Sequence, residues 1–177
     1  MKTNSLIIAV IAYAGSISGA SALPGLTSFS DDFEPDIDQA MWTAFGGTVA
    51  ATNHGGSVSG TNSLWFDGSG SRFAESAKID TGSGGQISFQ IRLGDGAAPF
   101  ETADLPSEGV VLEYATEANT NWVELGRYDT VAFRTWTEVN QTLPIAAENE
   151  ATKFRWRQLA NSGTSTDNWA LDGMAPA

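Results

Sequence analysis

The C-terminal 68 residues of the chain contain three short runs with apolar or aromatic residues at regular positions, VVLEY (110–114), KFRWRQ (153–158) and DNWALD (167–172). In KFRWRQ the apolar and polar residues alternate, and in VVLEY they do so apart from Val111. Successive side chains of a β-strand point to opposite faces of a sheet, so an alternation of this kind predicts a strand with one buried face and one wet face. All three runs are therefore interpreted as strands.

The same pattern recurs upstream in ISFQIRL (87–93), and shorter candidates are LWF (64–66) and WVEL (122–125). Segments rich in Gly, Ser, Asn and Asp separate the runs and predict turns. Several short strands at such intervals favour an antiparallel β-sandwich or barrel. The chain shows no internal repeat and no clear linker, which predicts a single domain.

The N-terminus has the features of an export signal. Lys2 supplies a positive charge, residues 6–12 a short apolar stretch, and ASA (20–22) a cleavage site of small residues. We predict that residues 1–22 are a signal peptide that is removed and that residues 23–177 form one secreted domain. A membrane anchor is the weaker alternative, because the apolar stretch is too short to span a bilayer comfortably.

Composition excludes several classes of function. The formal net charge is −12 at pH 7, with 21 acidic and nine basic residues. Such a surface repels nucleic acid and anionic lipid, so neither is expected as a partner, and it suits cation binding or simple solubility. The chain has no cysteine, which excludes disulfides, thiol catalysis and cysteine–zinc sites. The core, alone or with a bound metal, must therefore hold the domain together.

Short motifs follow one another in a fixed order along nearly the whole mature chain: DFE (32–34), LWFDGSGSR (64–72), ISFQIRLG (87–94), EGVVLEY (108–114), FRWRQ (154–158) and DNWALD (167–172). In order and spacing they resemble a reelin-type sub-repeat, one half of the jelly-roll unit that is repeated in the reelin glycoprotein. Domains of this type are similar to carbohydrate-binding-module jelly rolls.

This resemblance implies an all-β fold, a jelly-roll β-sandwich of two antiparallel sheets, together with an extracellular location and a structural calcium ion. The chain departs from the family in two respects. It lacks the cysteines that brace the vertebrate repeats, and it contains a single sub-repeat. Receptor signalling of the reelin type is therefore not expected to carry over.

An acidic cluster occupies residues 31–38. If Phe33 points into the core, Asp32 and Glu34 lie on the opposite face of the first strand. Asp172 ends the last strand candidate, and the first and last strands of a jelly roll commonly lie close together. Calcium prefers six to eight oxygen ligands, and the resemblance implies that Glu34 and Asp172, with Asp32 in addition, bind it. The alternative is a solvated acidic edge.

The chain has six tryptophans, and the strand pattern assigns four of them to the core or its lid: Trp42, Trp122, Trp156 and Trp169. Trp65 and Trp136 are out of phase with their apolar neighbours, which predicts that they face outward. An exposed indole can stack on the apolar face of a sugar ring. Trp65 and Trp136 are therefore the candidate glycan-binding residues, with burial under a loop as the alternative.

Three basic residues, Lys153, Arg155 and Arg157, share the outward side of one predicted strand. Cross-strand ion pairs, for example with Glu113, are the favoured interpretation. An anion or acidic-glycan site on that face is the alternative. Signals for catalysis are weak, because the single histidine, His54, lies in a glycine-rich loop without a G-x-S-x-G motif.

The sequence thus predicts a secreted, non-catalytic, calcium-stabilised module for extracellular adhesion, recognition or assembly, with a protein or a second copy of itself as partner. A carbohydrate-binding module that uses exposed tryptophans is the alternative, and a small secreted glycoside hydrolase is the third hypothesis. An exposed aromatic platform would favour a glycan. An apolar patch or an unprotected strand edge would favour assembly.

Overall fold

The computed structural model describes residues 25–96 and 100–175, and ten β-strands lie in these ranges. The strands are β1 (Trp42–Gly46), β2 (Thr48–Thr52), β3 (Ser63–Asp67), β4 (Phe73–Ser76), β5 (Gln86–Leu93), β6 (Val110–Ala115), β7 (Val123–Tyr128), β8 (Thr137–Thr142), β9 (Lys153–Gln158) and β10 (Trp169–Ala175). Short 3₁₀ helices at Val131–Arg134 and Ile145–Ala147 lie in two of the connections.

The strands form two five-stranded sheets. The β9 sheet has the order β1-β4-β9-β6-β7, and the β10 sheet has the order β2-β3-β10-β5-β8. Neighbouring strands are antiparallel throughout both sheets. The predicted all-β jelly-roll β-sandwich of two antiparallel sheets is confirmed.

Two of the three runs quoted above, β9 and β10, are the central strands of the two sheets. β9 lies between β4 and β6, and β10 lies between β3 and β5. Along β9 the residues Phe154, Trp156 and Gln158 are buried, while Lys153, Arg155 and Arg157 are half-buried. The alternation read from the sequence is therefore the alternation between core and outer face.

Aromatic side chains fill the space between the sheets. The Trp156 ring lies edge-on to Phe89, with centroids 5.4 Å apart, and to Trp42 at 5.8 Å. Trp169 stacks on Phe66 with a centroid distance of 3.7 Å. The predicted core positions of Trp42, Trp156 and Trp169 are confirmed. Each buried indole removes roughly 150 to 250 Å² from water, which contributes roughly 4 to 6 kcal/mol before the entropy cost of folding.

The first described segment pairs with the last strand. Asp31 N donates to Met174 O at 3.2 Å, and Met174 N donates to Asp31 O at 3.1 Å. Phe33 is fully buried, as predicted. Its φ of 59° is not that of a strand, so the chain leaves the sheet after Asp31 and the strand predicted around Asp32 and Glu34 is wrong.

The predicted signal peptide, residues 1–22, and its cleavage site lie outside the described residues. Secretion and the domain limits 23–177 stay predictions. Within the described ranges no helix has the length and apolar character needed to cross a bilayer.

A buried arginine fastens the loop before β10 to the rest of the sandwich. Arg72 is fully buried. Its guanidinium donates to the backbone carbonyls of Gly68 at 2.9 Å, Thr166 at 2.8 Å and Asp167 at 2.9 Å, and to Gln158 Oε1 at 3.2 Å. Most N–H groups of the buried guanidinium therefore donate to backbone carbonyls. Arg72 in turn provides a hydrogen-bond donor for carbonyls that the loop leaves unpaired.

We expect Arg72→Met to lower the free energy of unfolding by roughly 3 kcal/mol or more, because the substitution leaves several buried carbonyl groups without a donor. Urea unfolding measures the change. Arg127→Met, at an exposed ion pair with Glu124, is the control and should change the midpoint little. Equal midpoints for the two variants would contradict this role of Arg72.

Candidate functional site

Nine charged residues lie on the outer side of the β9 sheet and at its rim, a surface here named the charged face. Its members are Glu75, Lys78, Glu113, Glu117, Glu124, Arg127, Lys153, Arg155 and Arg157. Five of the nine basic residues in the chain lie here, although the net charge of the chain is −12. The charged face is thus the place where an acidic protein concentrates its basic side chains.

A carboxylate at the centre of the charged face binds two arginines. Glu113 on β6 pairs in register with Arg155 on β9. Arg155 Nη2 lies 2.8 Å from Glu113 Oε2, and Arg157 Nη2 lies 2.9 Å from Glu113 Oε1. Arg155 also approaches Glu75 on β4, at 3.7 Å. The predicted cross-strand ion pairing is confirmed, and it holds both guanidinium groups in fixed positions.

An open cavity of about 630 Å³ lies at one end of the charged face. Its lining includes Trp122, Lys153, Lys78, Glu117 and Ala115. Lys78 and Glu117 form an ion pair of 2.5 Å. A smaller cavity of about 320 Å³ lies beside Arg157 at the other end of β9. The charged face therefore carries a recess at each end of one central strand.

Trp122 belongs to this surface. The side chain is half-buried, and Arg155 Cζ lies 4.3 Å from the centroid of its ring. The predicted position of Trp122 in the core or its lid is wrong, because the residue precedes β7 in a loop and its ring packs on the outward guanidinium of Arg155. Sequence analysis missed this residue because alternation assigns faces only within a strand.

Trp65 and Trp136, the predicted glycan-binding residues, lie together on the outer side of the other sheet. Trp65 faces away from the core as predicted, but only 4% of it is exposed. Phe100 covers it, with ring centroids 4.8 Å apart, and exposed His54 approaches its edge at 5.6 Å. Trp136 is half-buried against the same cluster. The expectation of an exposed Trp65 is therefore wrong.

Two of the three predicted calcium ligands reach the same loop, residues 57–62. Glu34 Oε1 accepts hydrogen bonds from Thr61 N and Asn62 N. Asp172, which is fully buried, accepts Val58 N at 2.6 Å through Oδ2. These carboxylates come from opposite ends of the described chain and hold one loop between them.

The third predicted ligand, Asp32, is exposed, and its Oδ1 accepts Glu34 N at 3.2 Å. Its neighbour Asp31 is the buried carboxylate that sequence analysis missed: its Oδ2 accepts Trp42 Nε1 at 2.8 Å. Burial raises the pKa of Asp31 against the effect of this hydrogen bond. In the part of the chain that the structure describes, no three acidic or histidine side chains form a group that could hold a metal ion.

The family model for Reelin subrepeat B matches residues 46–175. The chain belongs to this family. The resemblance stated from the motifs is thereby confirmed, and the chain is a member without cysteine.

Solved structures share the fold. One is a xylan-binding domain from carbohydrate-binding module family 22, at 17% identity and a TM-score of 0.56, with 84% of this chain and 92% of that chain covered. Another is the CBM22-1 xylan-binding domain of Paenibacillus barcinonensis Xyn10C, at 15% identity and a TM-score of 0.56, with 87% and 96% covered. At these identities the likeness concerns the fold alone.

In this reelin subrepeat B domain the pKa of Glu113 depends on two opposing effects. Burial raises it, and the hydrogen bonds and positive charges of Arg157 and Arg155 together lower it by more, so the pKa of Glu113 lies below its ordinary value. The hydrogen bond to Glu113 in turn raises the pKa of Arg157. The pair therefore stays ionised across the neutral and mildly acidic range.

The pKa of Glu113 is lower in the folded than in the unfolded protein. Its carboxylate therefore stabilises the fold when the pH is above the pKa of the unfolded protein, and this stabilisation is lost as the pH falls. We expect Glu113→Gln to destabilise the domain at pH 7, and the difference from the unmodified protein to shrink between roughly pH 5 and pH 3. Urea unfolding across this range measures it. A difference that does not change with pH would contradict the ionic role, and Glu124→Gln is the matched control.

Proposed function

We propose that this domain is a non-catalytic binding module that holds a glycan on the charged face. The observation that carries the proposal is the cavity in which Trp122 lies beside Lys153 and the paired Lys78 and Glu117. Binding sites for sugars combine an aromatic surface for the apolar side of the ring with a few fixed polar groups for the hydroxyls. The charged face offers both.

Fixed polar groups matter because ordering a long side chain on binding costs free energy. Arg155 and Arg157 are already held by Glu113 at 2.8 and 2.9 Å. Their remaining N–H groups are thus oriented before any ligand arrives. The solved structures with this fold that are named xylan-binding domains add support for a glycan as the ligand.

Contacts with a protein partner or a second copy, the first hypothesis from the sequence, stay a prediction. An apolar patch would favour them. In the described ranges the exposed large apolar side chains are Val58, Val131 and Ile145, which lie in separate connections. This distribution supports a glycan over self-assembly, and an extracellular location is part of the proposal through the predicted signal peptide.

Catalysis is not part of the proposal. Glu113 is held ionised by two arginines, which does not suit a general acid. Glu108 and Asp167 form a carboxylate pair in which burial raises the pKa of Glu108. Both are buried, and Gln158 Nε2 donates to their backbone carbonyls at 3.1 and 2.7 Å. Neither carboxylate lines a cavity described above.

We also propose that calcium stabilises the domain at the loop 57–62. Glu34 and Asp172 supply carboxylate oxygens from two ends of the chain, and backbone carbonyls of the loop would supply further oxygen ligands. An all-oxygen set is what calcium prefers. The ion would hold the same three segments that the two carboxylates already join by hydrogen bonds.

For the glycan proposal, we expect Trp122→Ala to weaken binding to any bound polysaccharide by about tenfold or more, which corresponds to roughly 1.4 kcal/mol. A glycan array followed by calorimetry measures it. Trp136→Ala, a half-buried indole on the opposite sheet, is the matched control and should leave affinity unchanged. The proposal fails if no glycan binds, or if Trp136→Ala rather than Trp122→Ala removes binding.

For the calcium proposal, we expect the melting temperature in calcium at a hundredfold excess over its Kd to exceed that in chelator by about 5 to 10 °C. Glu34→Gln and Asp172→Asn should abolish this difference, whatever they do to the melting temperature itself. Exposed Glu150→Gln is the control and should retain it. Identical melts of the unmodified protein in calcium and chelator would show that the carboxylates act only through the loop amides.

A further inference from the structure

Lys153 differs from the other basic residues of the charged face in its partners. Lys78 pairs with Glu117 at 2.5 Å, and Arg127 pairs with Glu124 at 2.5 Å. Both arginines of β9 pair with Glu113. Among the described residues, the Lys153 ammonium has a hydroxyl as its hydrogen-bond partner, Thr43 Oγ1 at 3.3 Å. It is thus the basic group of this surface without a carboxylate.

The position of Lys153 places this charge inside the larger cavity. Lys153 and Trp122 line the same recess. The residue opposite Lys153 in the β6–β9 register is Ala115, whose small side chain leaves the space beside the ammonium open. The carboxylate of Glu75, which also lines the cavity, is drawn to Arg155 at 3.7 Å. The recess therefore combines an aromatic ring, open volume and one uncompensated positive charge.

The net charge of −12 does not prevent an anion from binding here. At physiological ionic strength exposed charges are screened beyond about 8 Å, so the groups within the recess decide. A carboxylate that reaches an ammonium directly forms a charge-assisted hydrogen bond, which is stronger than a neutral one. The charges of Arg155 and Arg157 are already balanced by the carboxylates of Glu113 and Glu75.

We infer that the cavity binds a sugar that carries a carboxylate, a uronic acid residue of a polysaccharide. The sugar ring lies beside Trp122 and its carboxylate binds the Lys153 ammonium. This inference rests on the proposed glycan function and adds the chemical class of the ligand and the residue that selects it.

Calorimetry with an oligogalacturonate and with its methyl ester of the same length tests the inference, because the ester keeps the sugar chain and replaces each negative carboxylate with a neutral ester group. We expect the acid to bind about tenfold or more tightly than the ester at low salt. Lys153→Gln should reduce the affinity for the acid to that for the ester, and Lys153→Arg should retain the preference. Arg134→Gln removes the same charge elsewhere and should have no effect.

Thermal melting checks that each variant is folded, and Lys153→Met, which also removes the charge, replaces Lys153→Gln if that variant is unstable. Equal binding of acid and ester overturns the inference, as does a preference that survives in Lys153→Gln. So does binding of neutral glycans through Trp122 while the oligogalacturonate does not bind. Failure of every glycan, neutral or acidic, instead overturns the proposed function itself.

Discussion

The whole sandwich depends on the insertion of two C-terminal strands into the middle of the two sheets. In the β9 sheet, β9 alone joins the pair β1-β4 to the pair β6-β7. In the β10 sheet, β10 joins β2-β3 to β5-β8 in the same way. Each sheet is therefore two separate antiparallel strand pairs until β9 and β10 are in place. Because these contacts are distant in sequence, loop-closure entropy is lost before they form, which favours a cooperative fold without stable halves.

The same strand that completes one sheet also builds the charged face. Trp156 lies in the aromatic core, and its neighbours Arg155 and Arg157 bind Glu113 on the outside. Successive side chains of a strand point to opposite faces, so the placement of Trp156 in the core also places Arg155 and Arg157 outside. A shift of one residue in register would exchange the core face and the outer face. The ion pairs contribute to that register because Glu113 lies directly opposite Arg155. The position of the binding surface is thus fixed by the packing of the core.

The fold was predictable because the alternation of apolar and polar residues is a local property of the sequence. The pairing of Glu113 with the arginines of β9 was predictable for the same reason. The site was less predictable because exposure is not local. Trp65 faces outward as its phase indicates, yet Phe100 from a distant segment covers it. The alternation does not show which face Trp122 points to, because this residue lies in a loop before β7. Asp31 is buried because the chain turns at Phe33, where φ is 59°, and no residue pattern in an acidic stretch signals such a turn.

Pairing among charges also sets how selective the charged face is. Five unpaired basic groups would attract any polyanion through counterion release, with little dependence on ligand shape. Here four of the five are bound to carboxylates of the same surface, so their long-range field largely cancels and they act as fixed hydrogen-bond donors. The Lys153 ammonium then selects among ligands by its position in the recess, and the total charge of the surface has little influence. An acidic protein can therefore recognise an acidic sugar at a single point while it repels polyanions in general.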